Sequence, residues 1–129
     1  MSFEERFREE FKSDAETILE ENLDRARGLF KYHEDGSIQL ADEVHEAGGE
    51  IQVLVYLIAR RMMHEANVTD SPSLTNEYFY NKLNVANSSV RNYIMRLRDD
   101  GIIISSDGEH QVVVENLPRA FDKIEGVIE

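Results

Sequence analysis

Apolar side chains recur every three or four residues near the start of the chain, which predicts an amphipathic helical arm. Acidic residues fill the other side of this arm. Ser13 and Glu16 match a capping box, so a break near Lys12 would give two helices, but we favour one long arm with a kink. The apolar positions are Phe3, Phe7, Phe11, Ala15, Ile18, Ala26 and Phe30.

The middle of the chain contains a turn and then its most apolar stretch. Residues 34–37 form the turn, and they are followed by a short strand at residues 38–40 and a brief helix over residues 41–47. Two consecutive glycines then interrupt the pattern. Residues 51–63 are apolar nearly all round, so we expect them to form the central core helix. Its predicted anchors are Leu54, Leu57, Ile58 and Met62.

A short amphipathic helix is expected after the polar linker at residues 67–72. Ser73 or Thr75 can cap its start, because a hydroxyl oxygen can accept a hydrogen bond from the first turn. Asn84 is predicted to end this helix, since asparagine tolerates the left-handed backbone that a sharp exit requires. The inner face of the helix carries Tyr78, Phe79 and Leu83.

A second helix is predicted after a four-residue connection at residues 84–87. It begins at Ser88, and Gly101 follows its end as a C-terminal cap. Three apolar residues at helical spacing turn one side of this helix towards the core. They are Val90, Ile94 and Leu97.

A β-hairpin and a final helix complete the pattern. A strand begins over residues 102–104, the Asp-Gly pair at residues 107–108 is a strong hairpin turn, and residues 112–114 return the chain. Asn116 with Pro118 starts the last helix. Its apolar positions are Leu117, Phe121, Ile124 and Ile128.

Two helices joined by a tight turn and followed by a hairpin resemble the winged helix-turn-helix transcriptional regulators. The resemblance covers about 40 residues, from 73 to 114, and about 65 with the core helix. It implies a mainly α fold with a small β-hairpin wing and with extra N-terminal and C-terminal helices. We divide the chain accordingly into a helical arm with a short strand and turn (residues 1–48), and a winged helix-turn-helix domain with the C-terminal helix (residues 49–129). The apolar skeleton of the resemblance is Phe79, Leu83, Val85, Val90, Ile94, Leu97, Gly101, Ile102 and Ile103.

The resemblance implies that the second helix of the pair enters the major groove of double-stranded DNA. Arginine can bond guanine or phosphate, asparagine can bond an adenine edge, and serine at a helix start can contact phosphate. The alternative is that these polar side chains only solvate an exposed face. The implied recognition residues are Ser88, Ser89, Arg91, Asn92 and Arg96, to which Lys82 and Arg98 add nearby positive charge.

The predicted hairpin tip departs from the pattern of this family. DNA-contacting wings often carry Arg or Lys near the tip, whereas Asp107 and Glu109 stand there in this chain and should repel phosphate. We therefore expect either a purely structural hairpin or one that touches the DNA backbone only through Ser106 and His110.

The N-terminal and C-terminal helices have no role in a minimal winged helix. In related regulators such flanking helices often build a two-fold dimer, so the resemblance implies a homodimer. Two recognition helices would then lie about one DNA turn apart. The alternative is that both helices pack on the core of their own chain.

Charge is distributed unevenly along the chain. The net charge is -12, and residues 1–50 hold 15 acidic against 6 basic side chains, a net of -9. Because DNA affinity depends on Lys and Arg at phosphates, the total argues against a DNA-binding protein. Between residues 74 and 98, however, Glu77 is the only acid among four basic side chains, which leaves room for a local basic patch.

The balance of charged residue types resembles that of proteins from salt-loving archaea. Only four Lys accompany ten Arg and 26 acidic residues. The alternative is an ordinary acidic surface that aids solubility.

Several classes of function find no support in the sequence. The absence of Cys excludes disulfides and thiol chemistry and fits a reducing, cytoplasmic setting. No apolar run approaches the ~20 residues of a membrane span, and the first residues do not form a signal peptide. The four His lack metal-ligand spacing and are interpreted as surface residues. Met62 and Met63 are interpreted as core residues and not as the lining of a ligand pocket. No catalytic motif is present, and no cofactor is expected.

The second function considered is a winged-helix module that docks a basic protein through its acidic half.

Overall fold

Helices make up most of the chain, and two small antiparallel sheets complete it; the computed structural model describes residues 2–11 and 14–128. The prediction of a mainly α fold with little β structure is confirmed. The helices are α1 (Phe3–Phe11), α2 (Ala15–Glu21), α3 (Leu23–Ala26), α4 (Asp42–Glu46), α5 (Gly49–Glu65), α6 (Asn76–Lys82), α7 (Asn87–Asp99) and α8 (Leu117–Ile128). The strands are β1 (Phe30–Tyr32), β2 (Ile38–Leu40), β3 (Leu74–Thr75), β4 (Ile103–Ser106) and β5 (Glu109–Val112).

The N-terminal arm consists of separate helices, so the single kinked arm that we favoured is wrong. Asp14 has an extended backbone and caps α2, because its side chain accepts hydrogen bonds from the backbone N–H groups of Glu16 and Thr17. The predicted capping residue Ser13 and the predicted break at Lys12 lie outside the described residues.

Phe30 lies in a strand, not on the helical arm where the periodicity placed it. Gly28 turns the chain after α3 at φ +85°, a backbone conformation that favours glycine. β1 then pairs antiparallel with the predicted strand β2, with Phe30 opposite Leu40. The predicted turn at residues 34–37 joins the two strands and is followed, after β2, by the predicted brief helix α4.

The central helix α5 is buried on most of its sides, as predicted. Leu54, Leu57 and Ile58 are fully buried, whereas Met62 is only half-buried and Met63 takes its place in the core. Met63 lies four residues after the buried Ala59, on the same side of the helix. The hydrophobic core includes residues from every described helix and strand except α1, so the core is continuous along the chain.

Thr75 fixes the start of α6 and an aromatic cluster fixes its position. The Thr75 hydroxyl accepts a hydrogen bond from the Tyr78 N–H, which selects Thr75 over Ser73 as the cap. Tyr78 packs edge-on against Tyr56 of α5, with ring centroids 5.5 Å apart. Burial, and secondarily Tyr56, raise the pKa of Tyr78 to about 12, so this phenol stays neutral at physiological pH.

The exit from α6 differs from the prediction. Leu83 leaves the helix in an extended conformation, at φ -93° and ψ 141°, and Asn84 does not adopt the left-handed conformation. With this extended backbone the Leu83 side chain is buried in the core together with Phe79. The chain can therefore leave α6 without a residue at positive φ.

A three-stranded sheet in the order β3-β5-β4 packs beside helices α6 and α7. β3 was not predicted, and it places Leu74 opposite His110. Asp107 and Gly108 form the predicted two-residue turn with positive φ, so β5 begins at once after it and not at Val112.

Gly101 ends α7 as predicted. It has φ +75°, its N–H donates to the Arg98 carbonyl, and the next N–H, from Ile102, donates to the Leu97 carbonyl. These two bonds form a Schellman cap, which satisfies carbonyl groups at the helix end and turns the chain into β4.

The C-terminal helix α8 uses its apolar side inside its own chain. Leu117, Ala120, Phe121 and Ile124 are completely buried. Arg25 holds the polar side, because its guanidinium bonds Asp122 over 2.6 Å and Glu125 over 2.8 Å. α8 therefore packs on the core of its own chain, as the alternative for both flanking helices expected, whereas α1 has no buried residue.

Candidate nucleic-acid interface

The inner side of α7 is anchored as its periodicity predicts. Val90, Ile94 and Leu97 are buried, and they fix the rotation of the helix about its axis. Tyr93 adds a close contact, since a Cβ atom on Gly49 would lie 2.5 Å from its ring. Any larger residue at position 49 would therefore require the outer end of the Tyr93 side chain to move.

The outer side of α7 presents a row of polar side chains to solvent. Ser88, Arg91, Asn92 and Arg96 are exposed, with Met95 between them. Ser89 is half-buried at the edge of the row. The five predicted recognition residues on α7 therefore lie together on one side of the helix, and Arg98 near its end lies outside this row.

Arg91 is held at the edge of this row by a residue of α6. Its Nη1 donates to the Tyr80 hydroxyl over 3.3 Å. Tyr80 is itself half-buried against the core. The contact holds the guanidinium against α6 and uses one of its five N–H donors.

Arg96 is exposed but has an intramolecular partner that the sequence did not indicate. Its Nη1 lies 3.4 Å from Oε1 of Glu50, and the Lys123 ammonium lies 2.9 Å from Oε2 of the same carboxylate. The negative charge of Glu50 therefore offsets part of the positive potential that Arg96 would present to a phosphate.

The two basic residues predicted outside this row lie elsewhere on the unit. Lys82, at the end of α6, is exposed with its Nζ 5.6 Å from the centre of the Tyr78 ring. Arg98 is exposed near the end of α7 and contributes a positive charge close to His110. Neither side chain is buried in a contact.

The N-terminal end of α7 favours anions. Ala86 precedes the helix and gives it no side-chain cap, and the first turn contains no acidic residue. Backbone N–H groups at such an end, together with the helix dipole, attract phosphate. Ser88 stands exposed in this turn.

The hairpin tip is acidic, and His110 is unavailable for contact with DNA. Asp107, Glu109 and Ser106 are exposed, whereas His110 is 5% exposed. The expectation that all four His lie on the surface is therefore wrong for His110. Of the two alternatives for the hairpin, the burial of His110 favours the purely structural one. Side chains alternate between the two sides of β5, and His110 lies on the inner side of the sheet. The residues of the turn alone do not indicate which side His110 faces.

His110 joins three elements through its two ring nitrogens. Nδ1 lies 2.6 Å from the Ser105 hydroxyl on β4, and Nε2 lies 2.7 Å from Oδ1 of Asn76 at the start of α6. An amide oxygen only accepts, so Nε2 carries the proton and Nδ1 accepts from Ser105. Burial, and then the charge of Arg98, hold the pKa of His110 below its ordinary value.

Sequence inspection missed three polar residues that shape this surface. Tyr80 and Glu50 hold the arginines, and Asn76 holds the hairpin through His110. Tyr80 follows directly after Phe79, which belongs to the predicted inner face of the helix, so there was a local indication in the sequence that Tyr80 lies near the core. Glu50 and Asn76 are linked to their partners over 46 and 34 residues, so no local pattern indicates them.

Within residues 2–11 and 14–128, no helix has the length and apolarity to cross a bilayer, and no cluster of three or more His, Asp and Glu is placed to hold a metal ion. Comparisons of the chain with protein-family models, with curated proteins and with solved structures give no match.

Proposed function

We propose that the chain binds double-stranded DNA sequence-specifically, as a homodimeric transcriptional regulator, with α7 in the major groove. The observation that carries the proposal is the orientation of α7: its apolar stripe is buried while Arg91 and Asn92 stand exposed on the other side. A groove about 12 Å wide can accept a helix presented in this way.

The order of elements supports a winged helix-turn-helix architecture. A long helix, a short strand, two helices joined by a tight turn, and a hairpin follow one another from α5 to β5. The strand before the helix pair adds to the hairpin to give the order β3-β5-β4. Such an arrangement braces the second helix from behind and leaves its outer side open.

The roles of individual residues follow from their positions. Asn92, near the middle of the exposed row, is suited to an adenine edge, and Arg91 to guanine or phosphate. Ser88 and the uncapped first turn of α7 are suited to phosphate. Arg96 contributes once DNA competes with Glu50 for its guanidinium.

The hairpin braces the helix pair and does not enter the minor groove. Its exposed acids, Asp107 and Glu109, would meet phosphates unfavourably, and His110 is occupied by Ser105 and Asn76. Specificity in this proposal comes from α7 alone in each subunit. A homodimer would compensate for the lack of DNA contacts by the hairpin, since it doubles the number of phosphate contacts and binds two half-sites.

Selection from a random pool of duplexes tests the proposal. Repeated rounds with the full chain should enrich a sequence of two inverted half-sites separated by about one helical turn, 10–10.5 base pairs between centres. Affinity for that sequence should exceed affinity for a scrambled duplex by at least ~10³-fold. A pool that stays random at 50 mM salt and above would overturn the proposal.

The acidic N-terminal half favours a second function, docking of a basic protein by a winged-helix module. Residues 1–50 carry a net charge of -9, and all the acids of α1 are exposed. A stoichiometric basic protein recovered from a native extract, with no duplex retained by the chain, would support this function over DNA binding.

A further inference from the structure

A groove of about 500 Å³ lies between α2, α3, β1 and the C-terminal end of α5. Its volume falls within the ~300–1,000 Å³ that small-molecule sites occupy. The groove lies roughly 20 Å along α5 from Glu50, so it is formed without α6, α7 or the hairpin.

The base of the groove is apolar and adaptable. Met62 and Met63 both line it, although the sequence predicted them as core residues and not as the lining of a pocket. Methionine side chains are flexible and polarisable, and they adjust to groups of different shape. Leu23 also lines the groove and is 56% exposed, so apolar surface there remains in contact with water unless a ligand covers it.

Two aromatic side chains form one wall of the groove. Phe30 and Tyr32 are two residues apart on β1, so they project from the same side of the strand. Phe30 is half-buried, whereas Tyr32 is 52% exposed. Aromatic rings attract cations to their faces, and the attraction is strongest where water is excluded.

Two carboxylates of α2 line the same groove. Glu16 and Glu20 lie four residues apart, and the buried Leu19 lies beside Glu20 on the groove side of the helix. Like charges at this spacing repel each other and destabilise a helix. Within residues 2–11 and 14–128 neither carboxylate has a salt-bridge partner. A positive charge in the groove would relieve their repulsion.

The other charged groups of the groove do not reverse its sign. Arg27 lines it, but the Arg27 guanidinium lies 3.2 Å from the carboxylate of Asp24, which is outside the lining. Glu65 is a third lining acid, and its carboxylate lies 3.7 Å from Arg61, too far for a hydrogen bond. Three lining acids against one lining base leave a negative groove.

We propose that this groove binds a small organic cation, an apolar group that carries a quaternary or protonated amine. The apolar part would cover the methionines, and the positive charge would be attracted by Glu16, Glu20 and the Tyr32 ring. A polar cation would leave the apolar base uncovered, and a neutral or anionic ligand would leave the two carboxylates unpaired. The site goes beyond the proposed function and does not depend on DNA binding.

Tetraphenylphosphonium and tetraphenylborate test the inference, because these ions have nearly the same size and shape and opposite charges. Isothermal titration calorimetry of the full chain at 0.1 M salt, without DNA, should show one tetraphenylphosphonium bound per chain. The expected Kd is ~1–100 μM, as for other ligands of this size. Tetraphenylborate should bind at least ~10-fold more weakly. Equal affinities for the two ions, or no binding of the cation at ~1 mM, would overturn the inference.

Matched charge variants distinguish the groove from the acidic surface as a whole. Glu16→Gln with Glu20→Gln should weaken tetraphenylphosphonium binding roughly 5- to 10-fold. Glu43→Gln with Glu46→Gln, at exposed positions of α4, removes the same charge and should change the affinity less than about 2-fold. Equal losses in the two double variants would show that only the net charge attracts the cation, and would contradict a site in the groove.

A second pair of variants tests the apolar part of the site. Leu23→Lys places a positive charge in the groove and should weaken tetraphenylphosphonium binding at least ~10-fold. Val127→Lys, at an exposed apolar position of α8 outside the groove, should leave the affinity within about 2-fold. If the wild-type chain binds no cation and is a dimer by sedimentation that Leu23→Lys dissociates, the groove is a contact between subunits and the inference fails. Because these measurements omit DNA, a chain that binds the cation and retains no duplex would refute the proposed function alone.

Discussion

The Glu50 carboxylate lies between two cations, 3.4 Å from Arg96 and 2.9 Å from Lys123, at the place where α5, α7 and α8 meet. The contact joins the start of α5 to the exposed side of α7 and to α8. It also places an acid beside a predicted recognition residue, so Glu50 offsets part of the positive charge of Arg96.

Glu50→Gln should strengthen DNA binding. The substitution keeps the shape of the side chain, removes one negative charge and releases Arg96, so affinity at 0.1 M salt should rise roughly 3- to 5-fold, or about 1 kcal/mol. Fluorescence anisotropy with the selected duplex measures the change. Glu46→Gln, on the exposed side of α4, alters the net charge equally and should leave affinity within about 2-fold. Equal effects of the two substitutions would show that only net charge matters.

His110 makes stability depend on pH. Its pKa is lowered in the folded chain by burial and then by Arg98, so the unfolded chain binds a proton at a higher pH than the folded chain. The contribution of His110 is fully present above its unfolded pKa of ~6.5 and is lost as pH falls through the folded pKa. Urea unfolding at several pH values should show this loss.

The matched variants separate His110 from other titrating groups. His110→Gln should flatten the pH dependence below ~6.5, whereas His45→Gln, at an exposed position of α4, should retain it. A wild-type pH profile in the His110→Gln chain would contradict the assignment of the buried bonds to Ser105 and Asn76.

Gly49→Ala should destabilise the fold, because the added Cβ would lie 2.5 Å from the Tyr93 ring. The outer end of the half-buried Tyr93 side chain must shift to accept it, and we expect a loss of about 1 kcal/mol in the free energy of unfolding, at the low end of overpacking costs. Gly126→Ala in α8, where nothing lies within 4 Å of the new Cβ, should instead stabilise by up to ~1 kcal/mol. Chemical denaturation of both variants gives the comparison, and a neutral Gly49→Ala would remove this contact from the account.

Arg25→Ala should loosen the attachment of α8. Arg25 bonds Asp122 and Glu125 and lies over the Phe121 ring at 5.3 Å, and the pairing holds the pKa of Glu125 below its ordinary value. We expect a loss of about 1–2 kcal/mol by denaturation, since a two-pronged arginine contact exceeds an ordinary surface pair. Arg27→Ala, on an exposed arginine nearby, should change stability by less than ~0.5 kcal/mol.

Sequence patterns predicted the elements that carry many regularly spaced apolar residues. The stripe of Val90, Ile94 and Leu97 fixed both the existence of α7 and the side it buries, and Gly101 fixed its end. α5 was equally clear because of its length.

The elements and contacts that failed prediction depend on partners distant in sequence. The sequence pattern did not mark β1 and β3 as strands, since Phe30 of β1 continues the helical spacing of the arm and β3 has two residues, and they form because β2 and β5 pair with them. Burial of His110 depends on Asn76, and the state of Arg96 depends on Glu50. On the candidate surface, the sequence predicted which side chains face outward but not which of them are already engaged.

The proposed DNA binding depends on the outer side of α7. The most direct test is the affinity of Arg91→Ala and Asn92→Ala chains for the selected duplex over a series of salt concentrations. Each substitution should cost about 1–3 kcal/mol, or roughly 5- to 150-fold, and Lys31→Ala, an exposed cation on β1, should cost less than about 2-fold. Affinities that match the wild-type chain for both α7 variants at every salt concentration would contradict it.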